Sequence, residues 1–309
     1  MLKSNAKKII FFFAFTLVAC DNASEKNELT RKLVDESMSN MTVVHGGEFL
    51  MGDFGPLVGE ELPFSINRDD KVLHKVILSD FMISKYKVTN KDYNTYLKIT
   101  GKKRPPVSAF TKKRPLLLGD DYSVTATWQQ AKDYCLWLGG HSGKNVDLPT
   151  EAQWEYAARS EGKYVPFATD NGKIERGRNY PTYDELDEYT GGLGLPMYPI
   201  GKYPPNPSGI YDMGLSGEEW TNDWYAGDYY KHSPVNNPQG PATGEKKVLR
   251  GAVGGSDQYA LTMFRQSSLP VPEPGFETDP VFDYDKDGIL PIYVFRCVVN
   301  NPVKEHGVI

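Results

Sequence analysis

The sequence predicts an irregular, loop-rich domain in which short helices and strands share an aromatic core. Composition is the first sign. There are 29 glycines and 22 prolines among 309 residues, and aromatic side chains reach 12%. So many helix breakers argue against a helical bundle, while Tyr, Trp and Phe each bury a large area. The second sign is residues 148–159, Leu-Pro-Thr-Glu-Ala-Gln-Trp-Glu-Tyr-Ala-Ala-Arg. Pro149 stops what precedes, Thr150 is an N-cap, and Gln153 completes a capping box. Trp154, Ala157 and Ala158 then form one apolar stripe whose small residues allow close approach. The third sign is the apolar run Ile292 to Val299, which reads as a buried strand.

A second capping box, Thr127 with Gln130, opens a helix carrying Ala131, Tyr134, Cys135 and Leu138. Helices near 90–99, 128–138 and 151–159 are expected to pack on strands that include 293–299. The chain is long enough to bury a sizeable core, and no internal repeat is visible. Its net charge is −5 with no basic stripe, which argues against a nucleic-acid partner. The five histidines, at 45, 74, 141, 232 and 306, lack metal-site spacing. No phosphate-binding loop, dinucleotide fingerprint or nucleophile elbow occurs.

Several motifs occur in a fixed order: Gly46-Gly47-Glu48-Phe49-Leu50-Met51-Gly52, Tyr86-Lys87-Val88-Thr89-Asn90, Trp128 through Trp137, Leu148 through Arg159, Pro205 through Trp224, Leu249-Arg250-Gly251, and Phe295-Arg296-Cys297. Together they resemble the formylglycine-generating enzyme (sulfatase-modifying factor) family. One departure is Lys87, which stands where that family usually has glutamate. The resemblance implies an α+β fold related to C-type-lectin domains, low in regular secondary structure, over residues 41–303, with 304–309 as a tail.

The first residues read as a targeting device. Lys3, Lys7 and Lys8 precede an apolar run from Ile9 to Ala19, too short for a membrane-spanning helix. Leu17-Val18-Ala19-Cys20 resembles the bacterial lipobox, so 1–19 reads as a lipoprotein signal peptide and Cys20 as the lipid-attachment residue. An ordinary signal peptide that contains a cysteine is the alternative. Three acyl chains would make a stable membrane anchor. The expected location is the cell envelope, with the domain facing the periplasm. Asp21 resembles an inner-membrane retention signal and favours that membrane over the outer one. Residues 20–40, polar and without a sustained apolar stripe, read as the lipidated N-terminus and a tether.

Besides Cys20 the only cysteines are Cys135 and Cys297. The resemblance implies a structural disulfide between them, in an oxidising compartment; two buried free thiols are the alternative. Catalytic family members oxidise a substrate cysteine at a copper(I) ion held by two further thiolates, placed after the Arg-Gly-Gly segment. Alignment on Gly254-Gly255 puts Tyr259 and Phe264 at those positions, and alignment on Arg250 puts Ser256 and Leu261 there. No cysteine lies between 136 and 296. Copper(I) prefers soft thiolates, so no copper is expected.

The resemblance also implies structural calcium. Asp212 and Glu219 fall on side-chain ligand positions of one loop, and Leu215 and Gly217 would offer carbonyls. Leu215-Ser216 and Glu218 depart from the family wording there. A second set would use Asn179 and the carbonyl of Tyr180, completed by Asp187 or Glu188. Asp283, Asp285 and Asp287 have the form of a calcium loop, but position 12 is Val294 instead of a bidentate glutamate. A lone calcium turn and a solvated surface turn both stay open. Arg250, Tyr259 and Arg265 are expected to border the cleft in which catalytic relatives bind a peptide.

Two functions follow as expectations. The first is a membrane-anchored envelope lipoprotein whose domain binds a protein or peptide without catalysis. The second is a metal-dependent oxidoreductase acting on something other than sulfatase cysteine, with Glu218, Asp257 or Asp283 as candidate carboxylates. Fold alone does not choose between them.

Overall fold

The computed structural model describes residues 6–104, 107–190, 197–252, 257–271 and 292–301. Six helices, α1 (Ala6–Ser39), α2 (Asn90–Thr100), α3 (Ala109–Lys112), α4 (Trp128–Ser142), α5 (Glu151–Ala158) and α6 (Tyr183–Thr190), are described. With them are ten short strands: β1 (Met41–Val44), β2 (Glu48–Met51), β3 (His74–Ile77), β4 (Phe81–Ser84), β5 (Val146–Asp147), β6 (Glu218–Trp224), β7 (Lys247–Arg250), β8 (Arg265–Ser268), β9 (Tyr293–Val294) and β10 (Val298–Asn300). The architecture is α+β, as expected.

One antiparallel sheet has the order β1-β4-β10-β5, a second is the β2-β3 pair, and a third has the order β8-β7-β6-β9. In the third sheet β9 runs parallel to β6. The expected single strand over 292–299 is therefore two. Tyr293 and Val294 pair with Glu218 and Glu219, whereas Val298 and Val299 pair with β4 and β5. Phe295, Arg296 and Cys297 cross between the sheets. The main chain there stays bonded, because Val88 N–H donates to the Phe295 carbonyl and Ser84 N–H to that of Cys297. An apolar run reports burial, and here the burial is shared by two sheets.

Both capping boxes form, at Thr127 with Gln130 and at Thr150 with Gln153. A third, Thr89 with Asp92, opens α2. α2 and α4 bring Tyr93, Tyr96 and Tyr134 together with Phe295 in a core cluster that also contains Trp220 and Leu249. Cys135 and Cys297 meet inside it as a disulfide, with Cα atoms 5.6 Å apart.

The tether expected over 20–40 needs correction. Residues 23–39 continue α1, and Leu33 and Val34 are buried in that core, flanked by Leu29 and Met38. α1 packs on α2 and α4. With about one apolar residue per turn the stripe is sparse, yet it spans one face. Among the described residues, no helix is long and apolar enough to cross a membrane.

Candidate functional site

The third sheet and α5 carry the charges that matter. All eight residues of α5 are buried, Glu151, Gln153 and Glu155 among them. Sequence reasoning gave this helix one apolar stripe and assigned no role to its acidic residues. Both carboxylates are paired inside the protein. Glu151 accepts from Arg265 through both oxygens, at 2.8 and 2.9 Å, and from Arg250 at 3.1 Å and Tyr230 at 3.0 Å. Glu155 accepts from Arg250 at 2.7 Å, from Arg159 at 2.9 Å and from the Gly52 amide at 3.0 Å. Burial works against ionisation of Glu151, but the guanidiniums of Arg265 and Arg250 hold its carboxyl below the usual range.

This network corrects the cleft assignment. Arg250 is fully buried and Arg265 is 2% exposed. Arg250 also donates to the carbonyls of Thr262 and Met263, so its fork is committed to the fold. Tyr259 alone of the three is partly exposed, edge-to-face with Phe264 at 5.1 Å. As for the positions where thiolates would stand, Phe264 and Leu261 are buried, and Leu261 bridges to Phe167 in the main chain. Ser256 lies outside the described residues.

The 212–219 loop leads into β6. Ser216 and Gly217 both have positive φ, 61° and 104°. A Cβ on Gly217 would sit 2.9 Å from the Ile292 carbonyl, so the turn requires glycine. The turned backbone aims three successive carbonyls at one point, and the Lys87 ammonium stands there. It donates to the carbonyls of Leu215 at 2.5 Å, Ser216 at 3.1 Å and Gly217 at 3.0 Å, and lies 3.5 Å from Glu219 Oε1. Glu219 is gripped by both prongs of Arg296, at 2.7 and 2.9 Å. Asp212 accepts from the Gly201 amide at 2.7 Å, and its withdrawal from water raises its pKa.

Calcium needs six to eight oxygens at about 2.3–2.6 Å around an open centre. The centre defined by Leu215, Gly217 and Glu219 is filled by a side-chain ammonium, so this set does not fit the ion. In the second expected set, the Asn179 and Tyr180 oxygens already accept from backbone amides. Asn179 Oδ1 accepts from the Glu175 amide, and its Nδ2 donates to Asp170 at 2.8 Å and to the Lys173 carbonyl at 3.0 Å. The Tyr180 carbonyl accepts from the Gly177 amide. Those atoms close a turn, with Arg178 bridging Asp170 and Glu175. Asp283, Asp285 and Asp287 lie outside the described residues. Among the described residues, no group of three or more His, Cys, Asp and Glu is placed to hold a metal ion.

Between the Asn179 turn and the 212–219 loop lies a cavity of about 20 Å³, lined by Tyr180, Tyr198, Tyr203 and Asp212. It has room for water but not for a peptide side chain. Two other carboxyls are unusual. Burial pushes Glu218, bonded to Gln266, up to about 7. Burial and the nearby Glu151 charge push Asp223 up to about 7, where it accepts from the first amide of α5. Asp257 is paired with Arg176. Sequence reasoning missed Glu151, Glu155, Arg159 and Tyr230, and noted Lys87 without assigning it a task.

Comparison with known proteins agrees with this geometry. The model of the sulfatase-modifying factor enzyme 1-like domain matches residues 26–274. The chain belongs to the sulfatase-modifying factor, or formylglycine-generating enzyme, family. It is 26% identical to the formylglycine-generating enzyme of Thermomonospora curvata over 275 residues, covering 72% of this chain and 85% of that enzyme. It is also 32% identical over 231 residues to a Chlamydia pneumoniae protein named serine/threonine-protein kinase pkn1. That match covers 69% of this chain but 33% of the relative, so the chain spans about a third of that relative's length. Among solved structures it is similar to PvdO from Pseudomonas aeruginosa, with a TM-score of 0.62 at 25% identity over 84% of this chain and 93% of that one.

Proposed function

We propose that this chain is an envelope lipoprotein whose sulfatase-modifying-factor domain binds a protein or peptide without catalysis. One observation carries the reading: the family scaffold and its disulfide are in place, but no cysteine lies between 136 and 296 to form a copper-binding pair. The commitment of Arg250 and Arg265 to buried carboxylates supports it, because neither guanidinium is free to activate a substrate. The anchor is Cys20 in the Leu17-Val18-Ala19-Cys20 motif, the domain faces the periplasm, and Asp21 favours the inner membrane. Docking of α1 from Leu29 onward then holds the domain within about 14 Å of the anchor, at about 1.5 Å of helix per residue.

The oxidoreductase alternative has one observation in its favour. Glu218, at about 7, has a value suited to proton transfer. Against it, Asp257 is neutralised by Arg176.

The test uses cells producing the full chain, fed a clickable fatty acid and carrying photo-crosslinking residues at Tyr183 and Tyr259. The expected result is a labelled, membrane-bound chain that crosslinks to an envelope protein, with Cys20→Ala unlabelled and released. An unlabelled wild-type chain, or no crosslinked species above background, would contradict the reading.

A further inference from the structure

We propose that the Lys87 ammonium is the resident cation of the 212–219 loop, performing the structural task of a divalent ion and leaving this loop independent of metal. The geometry is that of a cation cage. Three consecutive carbonyls, from Leu215, Ser216 and Gly217, converge on Nζ at 2.5–3.1 Å, and Glu219 closes the fourth side at 3.5 Å. Consecutive carbonyls normally point in different directions. Here they meet because Ser216 and Gly217 take left-handed backbone angles. Such a turn sets several carbonyl dipoles side by side and is unfavourable unless positive charge sits among them.

Charge counting points the same way. Lys87 and Glu219 are both fully buried, and the neighbouring charges are Arg296 and Asp212. Two cations face two anions. A divalent ion added to that cluster would leave two positive charges uncompensated in a low-dielectric interior. The Glu219 carboxylate, 3.5 Å from the ammonium, favours its charged form.

The backbone that presents Lys87 is fixed on both sides. Val88 N–H donates to the Phe295 carbonyl, the Val88 carbonyl accepts from Val124 N–H, and Thr89 caps α2. The ammonium therefore ties the start of α2 to the start of β6, as a metal bridging the two segments would. Arg296 completes the clamp by reaching the carbonyls of Ser84, Lys85 and Tyr211 from the other side of Glu219.

The test is made on the full chain purified in detergent, with elemental analysis and thermal unfolding in EDTA or in millimolar calcium. Wild type is expected to carry no stoichiometric calcium, and its midpoint should move by less than about 1 °C between the two conditions. Lys87→Met should melt several degrees lower. Lys87→Glu, which empties the cage and adds a carboxylate, should melt low in EDTA and recover by several degrees in calcium, by mass action on the folded state. One calcium per wild-type chain, or a wild-type midpoint that falls by several degrees in EDTA, overturns the proposal. A Lys87→Met chain as stable as wild type overturns it as well, as does a folded Lys87→Glu chain whose midpoint ignores calcium. Should neither variant fold, the two wild-type measurements still decide.

Discussion

Around the Cys135–Cys297 disulfide, rings pack on rings: Tyr93, Tyr96, Tyr134 and Phe295, with Leu33 and Val34 of α1 sealing one side. Around α5 the interior is held by charge, with Glu151 and Glu155 shared among Arg265, Arg250 and Arg159. The first region is non-directional, and any well-packed side chain of similar volume would serve there. The second is directional, since each guanidinium fork fixes the distance and angle of its carboxylates. The contrast teaches that the part of the fold nearest the missing thiolate pair is the part most rigidly specified. In this chain that precision supports the scaffold.

The largest expected effect lies in the ring-packed region. Cys297→Ala opens a loop of 162 residues and is expected to reduce stability by up to about 5 kcal/mol, the chain-entropy estimate for a closure of that size. Denaturant titration against wild type measures it. A loss under about 1 kcal/mol would show that the rings hold that region without the crosslink.

Next in size is the charged region. Arg265→Met leaves Glu151 with a single guanidinium in a dry interior, and the expected loss is about 3–5 kcal/mol. The double variant Arg265→Met with Glu151→Gln should recover part of that loss, because the orphaned charge goes with its partner. A double variant worse than the single one by the full Glu151→Gln effect would show that the two residues act independently.

The smallest effect is a slope. Glu218 and Asp223 are raised in the folded state to about 7, above their ordinary carboxylate values. Between those values and about 7 the folded chain binds more protons than the unfolded chain, so these two groups make stability fall as pH rises. Each contributes at most about 1.4 kcal/mol per pH unit in that window. Glu219 and Glu151, lowered despite burial by Arg296 and by Arg265, act the opposite way, and their contribution is lost as pH drops through the acid range. Thermal midpoints from pH 5 to 8 should therefore decline less in Glu218→Gln and Asp223→Asn than in wild type. Parallel curves would mean that neither group is protonated when folded.

Much of the fold was legible because its signals are local. Thr127 with Gln130, and Thr150 with Gln153, mark helix starts within four residues of sequence, and both boxes form. Family motifs placed the disulfide correctly. The ion network was not legible, because its partners lie far apart in sequence: 95 residues separate Glu155 from Arg250, and 114 separate Glu151 from Arg265. An acidic residue on a short helix reads as solvated until the cation above it is known. Of the expected Asp212, Leu215, Gly217 and Glu219 set, the oxygens of Leu215, Gly217 and Glu219 surround the Lys87 ammonium, whereas Asp212 accepts from the Gly201 amide. What the set lacked was the occupant, and the lysine at 87 was the available sign. α1 misled because Leu29, Leu33, Val34 and Met38 form a thin stripe amid polar residues.

The most direct test of the central claim is a copper(I) titration of the purified full chain, followed by incubation with a thiol-bearing peptide under oxygen and mass analysis of the product. Substoichiometric, weak copper binding and an unchanged peptide are the outcomes expected of a domain without a thiolate pair. One tightly held copper ion per chain, with conversion of the peptide thiol to an aldehyde, would contradict the account.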